Sequence, residues 1–314
     1  VVLMKESMNE NFNVNLRKDA YIKFKGPVDF KSRISEHPGE IMSIAKLDVV
    51  TIPLTTTILD AVKTMVGHGF RRLPVTDPGS RRLVGIITSR DTVDFLGGGE
   101  RSLIIENKFK GNLLQALNSS VRELVTEDVY TVNYKSSLEE ALQVMLEHNI
   151  GGLPVLDGDR RVQGIVSERD FVWLIAGVKT GRSVEEYMTG DVVTATPGDT
   201  LGETTRLMIK NGIRRIPLLQ EEVLVGIITS FDIMRFIGDG EVFDRLVTGS
   251  ASEIFSLRVG SLVDRSVVTV QPGVDLGEAA WRMQEEKIGC LPVVEGDILK
   301  GIITERDIIR ALVG

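Results

Sequence analysis

Residues 69–75 read GFRRLPV, and the chain comes close to repeating them as GIRRIPL at 212–218. Two further copies keep the frame and drop the charge: NIGGLPV at 149–155 and KIGCLPV at 287–293. Leu-Pro-Val reads as the start of a buried strand, where an arginine pair is costly unless something partners it. Repetition of this kind has to be resolved before any element is assigned, because it governs the whole architecture.

With the four copies aligned on Pro74, Pro154, Pro217 and Pro292, other residues fall at fixed offsets. Seventeen positions upstream stand Thr57, Ser137, Thr200 and Asp275, followed three residues later by Asp60, Glu140, Glu203 and Glu278. This is capping-box spacing, in which a short N-cap side chain and an N3 carboxylate satisfy unpaired amides at a helix start. Met65, Met145, Met208 and Met283 lie further along, on the face of Ile58, Leu138, Leu201 and Leu276. By helical periodicity this stripe is core. Gly69, Asn149 and Gly212 suit the left-handed residue that ends such a helix, and Lys287 departs from the pattern.

Beyond each proline a short turn leads to GIITSRD from Gly85, GIVSERD from Gly164, GIITSFD from Gly226 and GIITERD from Gly301. The proline-to-glycine gaps are nearly constant and suit a hairpin. A second amphipathic helix follows each, for example DIIRALV at 307–313. Ahead of the first helices, VVTI (49–52), VYTV (129–132), VVTA (192–195) and VVTV (267–270) read as strands. Each unit is therefore strand, helix, strand, strand, helix, giving an α/β (α+β) fold of four tandem units.

Composition narrows the function classes. The 314 residues are 42% hydrophobic with a formal net charge of −7, enough for a large core and unfavourable for general nucleic-acid binding. No apolar run approaches the roughly 18 residues needed to span a bilayer, and no signal-peptide core is recognisable, so a cytoplasmic protein is expected. One cysteine excludes an internal disulfide and a multi-cysteine metal site. Three histidines without HExxH spacing leave a zinc hydrolase without ligands. No nucleophile and base set is visible, so no catalytic residue, metal site or catalytic cofactor is assigned.

The repeated VVT strand, the [LI]-P-[VL] strand and the GI[IV][TS]xxD junction, each present four times in register, resemble the CBS domain. The resemblance covers about residues 41–313: units at 41–96, 120–176, 183–238 and 258–314, linkers at 97–119 and 239–257, and an N-terminal arm at 1–40 without a recognisable motif. It implies that consecutive units pair through their sheets into two Bateman modules forming a compact disc, with two candidate ligand clefts per module. The long linkers inside pairs 1–2 and 3–4, against a short join near 177–182, agree with that grouping. Units 1 and 3 share Arg-Arg, and units 2 and 4 share ERD, as expected of a duplicated pair. The four-unit arrangement, with DFLGGGE after unit 1 and RFIGDGE after unit 3, looks like archaeal relatives of the γ subunit of AMP-activated protein kinase.

The junction residues lie three apart: Thr88 with Asp91, Ser167 with Asp170, Thr229 with Asp232, Thr304 with Asp307. S/T-x-x-D is itself a capping box, so a purely structural role competes with a binding one. The resemblance assigns each aspartate to a ribose and each hydroxyl to an assisting role. Arg71, Arg72, Arg214 and Arg215 are then candidate phosphate ligands, since guanidinium matches phosphate oxygens. Arg90, Arg169 and Arg306 are second-rank candidates, and unit 3 has Phe231 there. By resemblance the adenine walls come from Val50, Tyr130, Val193 and Val268. Cys290 reads as a small wall residue. Gly151, Gly152 and Gly289 are expected to leave room in the clefts. The glycines of LGGGER lack the ending of a phosphate-binding loop.

Two function classes stand at this point. One is an adenine-nucleotide sensor binding AMP, ADP or ATP as regulatory ligands, read by a partner that the residues do not identify. The other is a binding or scaffold module for S-adenosylmethionine, NAD, a divalent cation or RNA. A homodimer is compatible with both.

Overall fold

The structure, a computed structural model, describes residues 39–263 and 266–313. The expected N-terminal arm lies, but for Gly39 and Glu40, outside the described residues.

Each unit has a first helix, a hairpin and a second helix. The first helices are α1 (Ile58–His68), α3 (Leu138–Glu147), α5 (Leu201–Lys210) and α7 (Leu276–Glu285). Thr57, Ser137 and Thr200 cap them through the N3 amide. Unit 4 differs: Glu278 at N3 pairs with Arg282, and Asp275 accepts from Gly277 N while its carboxylate also holds Thr180 N and Gly181 N. The same residue thus starts α7 and anchors the join between the modules. All four helices end on a left-handed residue, Lys287 included, at φ 55°.

The hairpins are β1 (Arg72–Thr76) with β2 (Leu83–Thr88), β3 (Gly152–Leu156) with β4 (Val162–Ser167), β5 (Arg215–Gln220) with β6 (Val223–Thr229), and β7 (Cys290–Glu295) with β8 (Ile298–Thr304). In every copy the register slips one residue past the proline's neighbour, at Val75/Thr76, Val155/Leu156, Leu218/Leu219 and Val293/Val294. A bulge conserved through four copies belongs to the unit's design and sharpens the local twist.

The strands expected ahead of the first helices are shorter than their patterns suggest. Only Val132–Asn133 forms a ladder; Ile52, Ala195 and Val270 make single parallel bridges to Val75, Leu218 and Val293. In unit 1 the preceding residues leave the sheet, and Val49 and Val50 line a cleft.

Second helices α2 (Ser89–Val93), α4 (Glu168–Val172), α6 (Ser230–Gly238) and α8 (Glu305–Val313) close the units. Units 1 and 2 join through bridges Lys46–Ile165, Ile86–Thr126 and Arg82–Arg161, and units 3 and 4 through Thr189–Ile302 and the β6–β8 pair Val223–Ile298. The apolar faces pair differently. One core joins units 1 and 3, with Ile58, Met65, Phe95, Met208 and Phe236 buried together; the other joins units 2 and 4, with Met145, Phe171, Met283 and Ile308. The methionine stripe is core in all four units, and sheet edges define the modules while helices weld one module to the other.

Candidate functional site

The four junction aspartates are built alike. Oδ2 of each accepts from the backbone N–H and the hydroxyl of the residue three before it: Thr88 for Asp91, Ser167 for Asp170, Thr229 for Asp232 and Thr304 for Asp307, at 2.6–2.9 Å. The capping role is therefore real, and it consumes the hydroxyl and one carboxylate oxygen. Oδ1 distinguishes the units. In Asp170 and Asp307 it accepts no hydrogen bond from a described residue. In Asp91 it accepts from Arg101, and in Asp232 from Arg235 Nη2 at 3.2 Å. Burial raises the pKa of Asp91, Asp170 and Asp307, a cost that hydrogen-bond donors to the free oxygen of Asp170 and Asp307 would relieve.

Asp170 lines a cleft between units 1 and 2. Val50, Pro74 and Ile165 give it apolar walls, and Arg71, Arg72, Arg169 and Arg214 line its cationic end. Lys46, which the motifs did not single out, also lines it and attracts Asp170.

The cationic end is shared across the molecule. Glu168 and Glu305, the first residues of α4 and α8, are 2% and 4% exposed. Glu305 accepts from Arg71 Nη1 of unit 1 at 3.2 Å and Arg169 Nε of unit 2 at 2.9 Å. Glu168 accepts from Arg214 Nη2 of unit 3 at 3.2 Å and from Arg306 Nε of unit 4. The pattern is two-fold symmetric. Units 1 and 3 carry Ser89 and Ser230 at the glutamate position, where their hydroxyls meet at 3.2 Å in the buried centre.

The glycines make room for arginines, correcting the expectation of open space. A Cβ on Gly152 would come within 2.0 Å of Arg72 Nη1, and one on Gly151 within 2.9 Å of Arg214 Nη1. In unit 4, Gly289 gives its carbonyl to Arg215 Nη1 at 2.7 Å, and Cys290 is buried beside that arginine with its thiol pKa pushed up by burial. Burial, with neighbouring guanidiniums, lowers Arg71 and Arg72 to about 10, so both remain charged at neutral pH. Burial alone would raise Glu305, but Arg71, Arg169 and Arg215 pull it down to about 2. Six guanidiniums surround two carboxylates, a surplus of positive charge suited to polyanions.

Not every candidate joins this cluster. Arg90 is exposed, because α2 abuts the end of α5 and turns that position toward Gly212 and solvent. Tyr130 is half exposed and stacks on His148 with ring centroids 4.0 Å apart. Val193 is half-buried, and Val268 packs against the core of units 2 and 4. Arg81, Arg82, Arg160 and Arg161 are exposed hairpin residues. Sequence reading missed Glu168, Glu305, Lys46 and Arg101. The alternation of ERD with SRD and SFD was the available signal for the glutamates. Among the described residues no group of His, Cys, Asp and Glu could hold a metal ion, and no helix is long and apolar enough to cross a membrane.

Four repeats, paired edge to edge and held together through their helix cores, with carboxylates and guanidiniums converging where the pairs meet, define a ligand-binding regulatory module. The chain belongs to the CBS-domain family, whose model matches residues 39–98, 121–177, 184–239 and 259–314. It is similar to protein MJ1225 of Methanocaldococcus jannaschii, 39% identical over 273 residues, which are 86% of this chain and 98% of that protein. The crystal structure of MJ1225, presented as that of a proposed archaeal homolog of γ-AMPK, superposes with a TM-score of 0.82 at 38% identity, over 86% of this chain and 99% of that one. A 33.4 kDa protein encoded in a ribosomal RNA operon of Thermofilum pendens is 36% identical over 281 residues, covering 89% of this chain and 92% of that protein. An inosine-5′-monophosphate dehydrogenase from Thermoplasma acidophilum is 38% identical over 191 residues, 60% of this chain but only 38% of the enzyme.

Proposed function

We propose that the chain is a non-catalytic, cytoplasmic sensor of adenine nucleotides, binding AMP, ADP or ATP in clefts between paired units. The observation that carries this reading is the Asp170 cleft. It combines a buried carboxylate with one free oxygen, apolar walls, and arginines drawn from units 1, 2 and 3. A ribose diol would donate to Asp170 Oδ1, the base would lie between Val50 and Ile165, and phosphates would reach Arg72, Arg169 and Arg214. Asp307 with Val193 and Arg215 is the corresponding set in the second module. Phosphate number would change the contest with Glu168 and Glu305 for the arginines, which is how AMP and ATP would favour different states. S-adenosylmethionine fits less well, because its sulfonium would face a surplus of guanidinium. The likeness to a proposed γ-AMPK homolog supports the same reading.

Titration calorimetry tests it. Asp170→Ala is expected to remove AMP binding at its cleft, and Arg72→Ala to weaken ATP more than adenosine. Unchanged affinities in both variants would refute the assignment.

A further inference from the structure

The three glycines of the linker after unit 1 and the arginine that follows them do something the binding reading does not require. Gly97 takes φ 97° and lies against Phe255; a Cβ on Gly98 would stand 2.5 Å from Ile209 Cγ1, and one on Gly99 2.7 Å from Asp94 Oδ1. Only glycine lets this segment press so closely onto unit 3 and the second linker. The result is a fixed position for Arg101, whose backbone N–H donates to Asp94 Oδ1 at 3.1 Å. Its guanidinium lies between units 1 and 2. Nη1 donates to Asp91 Oδ1 and to Leu124 O at 2.8 Å, and Nη2 donates to Thr126 Oγ1 at 3.2 Å.

These are the surroundings of a ligand cleft. Thr126 bridges Ile86 as Lys46 bridges Ile165 in the Asp170 cleft, so Arg101 sits between the two edges that a nucleotide would have to enter. Asp91 Oδ1 is the counterpart of the oxygen left free in Asp170 and Asp307. Tyr130, the wall residue on this side, is engaged with His148. In unit 3 the position matching Arg101 is the buried Val242, and Asp232 Oδ1 accepts instead from Arg235 of its own helix, a half-exposed side chain.

We propose that Arg101 is an internal ligand of the Asp91 cleft, taking the carboxylate oxygen a ribose would need and holding that cleft out of nucleotide binding. This rests on the reading of the junction aspartates as ribose ligands. A nucleotide entering there must displace a part-buried ion pair with two further hydrogen bonds, which weakens binding on the order of a hundred-fold relative to the Asp170 cleft. Because the glycine segment is pressed against unit 3, the block is tied to the contact between modules.

The test is calorimetric titration of the full chain with AMP and with ATP. Arg101→Met keeps the aliphatic stem and is expected to bind one equivalent more than wild type; Arg101→Ala is the second variant, each checked for cooperative unfolding. Adding Asp91→Asn to Arg101→Met should remove the extra equivalent. The proposal is overturned if removing Arg101 adds no equivalent or weakens binding, or if the extra equivalent survives the added Asp91→Asn. Binding in wild type that Asp170→Ala reduces, with no gain in Arg101→Met, rejects the internal ligand alone. No binding to any variant rejects the ribose reading together with it.

Discussion

In each junction aspartate the helix cap takes one oxygen, so the proposed ribose contact falls to the other. Oδ2 completes the helix cap in all four units, whereas Oδ1 of Asp170 and Asp307 accepts no hydrogen bond from a described residue. Burial raises the pKa of Asp170, so its ionised form subtracts from stability, and that cost grows as pH rises from the ordinary value of 3.8 through the raised one. Asp170→Asn keeps an oxygen for Ser167 and removes the charge. It should raise the melting temperature of the ligand-free chain at neutral pH while weakening AMP by about ten- to a hundred-fold, the worth of a hydrogen bond to a charged group. A melting temperature that falls together with affinity would show that the carboxylate is mainly structural. The aspartates and the Arg-Arg doublets were legible because they repeat in register. Glu168 and Glu305 were not, because a glutamate at a helix start looks like a solvated first-turn residue, and only the fold shows each to be enclosed by arginines from two other units.

Helix and hairpin positions followed from local spacing, since caps, turns and apolar periodicity act within one unit. What spacing could not supply came from contacts between units. The first strand of unit 1 shrinks to a single bridge, with Val49 and Val50 lining a cleft, and Asp275 trades a capping box for the inter-module join. Lys287 shows the opposite case, a local preference overridden. It occupies the left-handed position at φ 55°, which carries a cost for a residue with a Cβ. Gly69 and Gly212 avoid that cost at the equivalent sites. Lys287→Gly should therefore stabilise the chain by about 0.5–1 kcal/mol after the extra flexibility of unfolded glycine is deducted. Chemical denaturation reads this directly, and a loss of stability would mean that the lysine side chain contributes more than its backbone strain removes. The Lys287 carbonyl that meets Arg169 Nη2 is unaffected by the substitution.

At the scale of the molecule, two pairings are superimposed: sheet edges join units 1 with 2 and 3 with 4, while apolar cores join 1 with 3 and 2 with 4. The centre where they cross holds Glu168, Glu305 and the arginines, so ligand phosphates in one cleft would draw on groups that also bind the other module. Glu305 is the clearest probe of this arrangement. Its folded pKa of about 2 lies below the ordinary 4.5, so its contribution is complete above 4.5 and is lost as pH falls through about 2. Glu305→Gln removes the charge at every pH and leaves Arg71 and Arg169 without their shared anion. A fully buried pair broken this way costs about 3–5 kcal/mol; these arginines are 25% and 19% exposed, so about 2–3 kcal/mol is expected. The denaturation free energy of the variant should accordingly lose much of the wild-type decline between pH 4.5 and 2. An anionic ligand would restore what the substitution removes, so saturating ATP should raise the melting temperature of Glu305→Gln by more than it raises that of wild type. If ATP stabilises both proteins equally, the phosphates do not reach the arginines that Glu305 holds, and communication between the modules would have to run through the helix cores instead.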